Sequence, residues 1–444
     1  MPPNPQLPKE LIHWVSRPLD RFIRIETSTA GLLLFFTITT LLLANSPWSE
    51  SFLSIWEISL GIHLGNFEFA RPIHDWINDG LMTLFFFFVS LELKRELVLG
   101  ELRNPRMAAL PIIAAIGGML VPPLFYFILQ IGEPGQNGWG TVMATDTAFV
   151  IGCLALFGKH IPQSLRMFML SLAIIDDIGA ILIVAIGYNH GITWMALATS
   201  VIGFILVYLM KKIGIRSIIA FFCIGVLIWI SIDASGIHPT ITGIILGLMT
   251  PTDTWVNDAR LHKILKHMVS YPPGEHWSGD TNDRKALHIA EVAVRETLSP
   301  VERLEILLHP WIGYLILPLF ALANAGVLIS FSDFTNRVTL SVFLGFILGK
   351  PVGVFGFSFI AEFLGLAKRP RSLNWILLAC GSILTGIGFT MAIFIANLAF
   401  NENLNNSARL GILLASIFCA LAGISALFIY KLFFQSELNA DASE

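Results

Sequence analysis

The sequence predicts an all-α polytopic membrane protein of about 12 transmembrane helices, and three observations carry that prediction. Hydrophobic residues make up 55% of the chain and charged ones only 13%, against roughly 25% charged in a soluble domain. Apolar runs of about 20 residues, the length that crosses ~30 Å of hydrocarbon, recur along nearly the whole chain. Lys and Arg gather in alternate connections between these runs, as a fixed orientation in a membrane requires.

In chain order the runs fall at roughly 27–45, 77–98, 108–131, 138–157, 166–188, 192–210, 215–232, 236–250, 309–330, 338–363, 374–400 and 408–434. They define a cytoplasmic N-terminal segment (1–26), a single transport-sized domain (27–434, with a long cytoplasmic loop at 251–307) and a cytoplasmic tail (435–444). Residues 1–24 are Pro-rich and basic without an apolar h-region, so no signal peptide is expected. The N-terminal segment carries Lys9, Arg17, Arg21 and Arg24. Every second connection is basic as well: Lys94, Arg95, Arg103 and Arg106; Lys159 and Arg166; Lys211, Lys212 and Arg216; loop 251–307; and Lys368, Arg369 and Arg371. The alternate connections hold Arg71, Arg337 and Arg409. Both termini are therefore expected in the cytoplasm, as an even number of spans also demands.

Two connections stand out. In the outward loop 46–72, the stretch Trp56-Glu-Ile-Ser-Leu-Gly-Ile-His-Leu-Gly-Asn-Phe-Glu-Phe69 alternates partly between apolar and polar residues. With its Gly65-Asn66 turn signal it predicts a β-hairpin. Its open edge could pair with a second copy of the chain. The inward loop 251–307 is rich in Asp, Lys, Glu and His, and reads as a linker or a regulatory surface. Cys153, Cys223, Cys380 and Cys419 all lie inside apolar runs at spacings that fit no zinc or redox motif, so they read as packing residues. No cofactor and no nucleic-acid partner is expected.

Two spans contain chemistry that interrupts a helix. The fourth reads Gly138-Trp-Gly-Thr-Val-Met-Ala-Thr-Asp-Thr147, with Thr145 and Asp146 well inside it. The eleventh reads Gly381-Ser-Ile-Leu-Thr-Gly-Ile-Gly-Phe-Thr390. Gly386 and Gly388 permit local unwinding, and Thr385 and Thr390 can bond the backbone groups that unwinding frees. Interruptions at matching places in two halves point to inverted-topology repeats around an ion site, here spans 3–5 and 10–12.

The ionisable residues in the central parts of the spans are Asp146, Asp176, Asp177 and Lys350. Such groups are costly in hydrocarbon and usually mark ion paths or proton relays. Three carboxylates against one ammonium leave a site able to hold cations. Consecutive helical residues differ by about 100°, so Asp176 and Asp177 point in different directions. One can line a wet cavity while the other faces a neighbouring helix, where Lys350 is the basic partner at that depth. Desolvation and a like-charged neighbour disfavour ionised carboxylates, and burial disfavours an ionised lysine. Each carboxylate can then hold a proton or a hard cation, and Na⁺ prefers the oxygen ligands that the aspartates, Thr145 and unwound carbonyls offer. Mutual exclusion of H⁺ and Na⁺ at one site would give exchange.

Several stretches resemble the NhaA-type Na⁺/H⁺ antiporters of bacteria: Phe88–Leu97, Ala144–Ala148, Leu172–Gly179, Leu308–Phe320, Gly349–Pro351 and Thr385–Met391. They follow one another in order along nearly the whole chain. The resemblance implies a pH-regulated antiporter of the bacterial inner membrane, exchanging Na⁺ or Li⁺ for protons, with two discontinuous crossed helices; two carboxylates that both shed protons for one monovalent cation would make the exchange electrogenic. It implies Asp176 and Asp177 as the ion-binding pair, Thr145 and Asp146 in the crossed-helix site and Lys350 as a partner charge. It further implies Asp79 in the ion path, and Glu92, Arg95, Glu96, Glu305 and His309 in pH regulation. Two features depart from the family pattern: Ile306 stands where histidine is common, and residues 271–299 form an insertion.

Other classes fit less well. An intramembrane aspartyl protease needs a Gly-x-Gly-Asp context, which neither Asp146 nor Asp177 has, and gives Lys350 no role. A primary pump would need a Walker A loop, which is absent. The expected protein is therefore a transporter and not an enzyme.

Overall fold

The computed structural model describes residues 26–433 apart from 65–66, 104, 158–160, 188–190, 216, 255, 257, 270–280 and 371. The expected N-terminal segment up to residue 25, the tail at 435–444, the Gly65-Asn66 turn, Lys159, Arg216, Arg371 and the first part of the insertion lie outside the described residues.

The chain is almost entirely helical. In order, the main helices are α1 (Glu26–Ala44), α2 (Ser49–Glu57), α3 (Met82–Val98), α4 (Pro105–Gln130), α5 (Thr147–Ala155), α6 (Gln163–Gly187), α7 (Trp194–Ile213), α8 (Ile218–Ala234) and α9 (Thr240–Met249). There follow α10 (Asp258–Val269), α11 (Thr281–Arg295), α12 (Pro300–Trp311), α13 (Leu317–Asn324), α14 (Arg337–Leu344), α15 (Lys350–Phe363), α16 (Trp375–Leu384), α17 (Phe389–Ala399) and α18 (Glu402–Phe433). Among the described residues, seven helical segments are long and apolar enough to cross a membrane, or nine if each of two bent pairs is one span. Large apolar side chains such as Ile219 (76% exposed) and Leu421 (64% exposed) face outward, an arrangement suited to hydrocarbon rather than water. The protein is an all-α polytopic membrane protein.

The expected hairpin is present as β1 (Ser59–Leu64) and β2 (Phe67–Pro72), antiparallel with Ser59 opposite Pro72 and Leu64 opposite Phe67. Loop 251–307 is not a plain linker. It contains α10 and α11, and its last residues open α12 through a capping box in which Ser299 and Glu302 satisfy each other's backbone amides.

The described residues divide into two compact units, one of Met1–Asn78, Pro105–Tyr188 and Gly313–Glu444, the other of Asp79–Asn104 and Asn189–Ile312. In the first unit, α4 and α15 meet through bare backbone. A Cβ on Gly117 would lie 2.3 Å from the Gly353 carbonyl oxygen, and one on Gly353 equally close to the Gly117 oxygen. Small residues let two membrane helices approach this closely, and the contact brings Lys350, one turn before Gly353, beside α4. A π turn (Gly345–Gly349) precedes Lys350, and such bulges are frequent at functional sites. In the second unit, α9 packs on α3 in the same manner: a Cβ on Gly243 would meet the Thr83 carbonyl oxygen at 2.2 Å.

The expected interruptions are both real breaks. In the fourth span a 3-10 segment (Gln136–Val142) gives way to non-helical backbone before α5 begins at Thr147. In the eleventh, α16 stops at Leu384 and α17 starts at Phe389, with a bend of 47° between them. Unwound backbone at such depth is tolerated only where other groups satisfy it.

Candidate functional site

The two interruptions satisfy each other. The Asp146 amide donates to the Ile387 carbonyl at 2.7 Å, and the Thr145 hydroxyl donates to the Thr385 carbonyl at 3.0 Å. In return Thr390 donates to Asp146 Oδ2 from both its amide (3.0 Å) and its hydroxyl (2.5 Å). Asp146 also caps α5, accepting the Phe149 amide on Oδ1 at 3.1 Å. A carboxylate at a helix N-terminus is stabilised by the macrodipole, and Asp146 serves the start of α5 while bonding the start of α17. The expected backbone role holds for Thr385, whose hydroxyl bonds the Ser382 carbonyl at 2.7 Å. Thr390 differs: its hydroxyl serves the carboxylate.

Lys350 joins these breaks to α6. Its ammonium donates to Asp176 Oδ2 at 2.5 Å and to the Thr145 hydroxyl at 2.9 Å. Asp177, one residue on and turned by about 100°, accepts from the Thr147 hydroxyl at 3.1 Å. Asp176, Lys350 and Thr145 are fully buried. Asp146 is 2% and Asp177 3% exposed, so the wet cavity expected beside one of the aspartates is not open here. Among the described residues no partner bonds the second oxygen of Asp176.

The structure therefore brings together all five residues expected at the ion site: Thr145, Asp146, Asp176, Asp177 and Lys350. It adds Thr147 and Thr390. A hydroxyl in an apolar span is common and carries no mark of its role, so its spacing offered no signal. Chemically, the cluster holds three buried carboxylates against one ammonium, which bonds Asp176. Burial of charge is costly unless balanced, so the cluster favours a further small cation or protons.

The remaining candidates lie in the second unit. Asp79 approaches His238, with Oδ1 3.6 Å from Nε2, and its backbone carbonyl accepts from the Trp229 indole at 3.3 Å. Arg95 pairs with Glu96 and with Glu305, each at 3.0 Å. His309 packs its ring 5.7 Å from that of Phe88. Glu92 lies on α3, three residues before Arg95. Three of the five residues implied in pH regulation are thus in direct contact, with His309 seated on the same helix α3.

The profile of the family described as Na⁺/H⁺ antiporter 1 matches residues 20–427. The chain belongs to that family. The match takes in every residue of the buried cluster and all the short stretches that carry the resemblance. The chain is 57% identical over 423 residues to the Na⁺/H⁺ antiporter NhaA 2 of Vibrio vulnificus, covering 95% of this chain and 94% of that protein. It is 55% identical to the Na⁺/H⁺ antiporter NhaA of Rhizobium meliloti, over 95% of this chain and 97% of the relative. To the NhaA of Rhodopirellula baltica it is 44% identical, over 95% and 96%.

Proposed function

We propose that this protein is a secondary Na⁺/H⁺ antiporter that expels Na⁺ or Li⁺ from the cytoplasm in exchange for protons. Family membership supports the reaction class. The single observation that carries the site assignment is the buried Lys350–Asp176 pair, 2.5 Å apart, one residue from Asp177 and bonded to the interrupted backbone through Thr145. Asp176 and Asp177 bind H⁺ or Na⁺ alternately. A Na⁺ entering between them replaces Lys350 as the counter-charge of Asp176, so that Lys350 and Asp177 each release a proton. The same residues cannot hold both cargoes, so exchange needs no separate coupling device. More than one proton-bearing group per Na⁺ makes the cycle electrogenic.

The finer architecture in this proposal is about 12 spans in inverted repeats, with the fourth and eleventh crossing as discontinuous helices. The protein lies in the bacterial inner membrane with both termini in the cytoplasm. Asp79 belongs to the ion path, and the cluster of Glu92, Arg95, Glu96, Glu305 and His309 regulates the pH response. Loop 46–72, which holds the hairpin, mediates a homodimer. The test is proton movement driven by Na⁺ in proteoliposomes holding the purified protein. Alkalinisation of the lumen on an external Na⁺ pulse supports exchange, and acidification, or Na⁺ uptake without proton movement, refutes it.

A further inference from the structure

A chain of amides ties the far end of α17 to three other elements. Arg409 of α18 donates to Asn397 Oδ1 from Nε (3.0 Å) and Nη2 (2.6 Å). Asn397 donates to Asn324 Oδ1 at 2.6 Å, and Asn324 to Asn78 Oδ1 at 2.8 Å. The Asn78 amide nitrogen then lies 3.0 Å from His74 Nε2. Asn405 adds a second donor to Asn397 Oδ1 at 3.2 Å. Asn324 is fully buried and also bonds the Phe320 carbonyl at 3.0 Å.

This chain has one direction. A guanidinium can only donate and stays charged, so it fixes the carbonyl side of Asn397 toward itself. The amide nitrogen of Asn397 must then point to Asn324, and that of Asn324 to Asn78. Hydrogen-bonded polar chains polarise one another and favour one arrangement of the elements they join.

The element so fixed carries the ion site. Asn397 follows Thr390 by seven residues on α17, which is within about 20° of two full turns, some 10.5 Å along the axis. Both therefore lie on one face of the helix. The break at 385–388 removes the continuous backbone ladder that would otherwise set the rotation of α17 against α16. Tertiary contacts must then set the rotation, and Thr390 at one end and Asn397 at the other are placed to contribute to it.

We propose that Asn397 and Arg409 are positioning residues for ion exchange, holding α17 in the rotation that keeps Thr390 on Asp146. The inference rests on the Na⁺/H⁺ antiport reading above. Wild-type protein is measured alongside, so a wild type that fails to exchange refutes that reading and a normal wild type isolates this one.

The experiment measures the apparent KM for Na⁺ and the maximal exchange rate in proteoliposomes for Asn397→Leu, Thr390→Val and the double variant. Asn397→Leu should raise KM by about fivefold or more, roughly 1 kcal/mol, while maximal rate stays within about twofold. The double variant should be little worse than Thr390→Val alone, because both changes release the same contact. Arg409→Lys, which keeps the charge and one donor, should fall between wild type and Arg409→Gln. It carries the same readout if Asn397→Leu does not fold. A folded variant with wild-type KM, or KM effects of Asn397→Leu and Thr390→Val that multiply independently, overturns the proposal.

Discussion

Lys350 and Asp176 form an ion pair with no solvent exposure on either side chain, Nζ lying 2.5 Å from Oδ2. Removing one member of such a pair leaves the other charge buried and uncompensated, a loss on the order of 3–5 kcal/mol. Lys350→Ala is therefore expected to lower the thermal midpoint in detergent and to abolish or strongly slow exchange. Lys350→Arg keeps the charge and should retain more of both. Equal activity and stability of the two variants would contradict the pair's assigned importance.

Electrogenicity is tested by voltage. Moving one elementary charge through 100 mV changes its energy by about 2.3 kcal/mol. Imposing a membrane potential on proteoliposomes with a valinomycin-clamped K⁺ gradient should change the rate of downhill exchange, with opposite signs of potential giving opposite effects. Rates that do not respond would mean an electroneutral cycle.

The hairpin offers a separate measurement. Its strands pair only with each other among the described residues, and an open strand edge is a template for another chain. Deleting residues 56–68 should leave a folded monomer that still transports. A dimer that persists unchanged in detergent would remove the hairpin from the interface.

The Arg95–Glu305 contact at 3.0 Å joins α3 to α12 within one unit. Glu305→Gln deletes an acidic charge that attracts protons to its neighbours, so the exchange-versus-pH profile should move toward lower pH. His309→Ala should displace it as well. Profiles identical to wild type in both variants would leave the aspartates of the proposed ion site in sole control of pH dependence.

Much of this site was legible because charge in hydrocarbon is expensive. Asp146, Asp176, Asp177 and Lys350 stand out against apolar neighbours, and the glycines of the eleventh span announced its break. Thr390 was legible only as a helper of freed backbone, because its true partner, Asp146, is 244 residues away in sequence. Thr147 bonds Asp177 across 30 residues and looks like any membrane-helix threonine. The asparagines at 78, 324 and 397 were invisible for the same reason: an amide gains meaning only from what it bonds. Helices α10 and α11 were missed because the charge of loop 251–307 hid short amphipathic helices inside a connection.

The most direct test of the central claim is proton movement on a Na⁺ pulse in proteoliposomes holding Asp177→Asn, beside the wild type. An amide cannot trade a proton for Na⁺, so exchange should vanish while the protein remains folded, and Asp176→Asn should be severely impaired. Exchange at the wild-type rate by Asp177→Asn would contradict the assignment of these carboxylates as the site where Na⁺ and H⁺ compete.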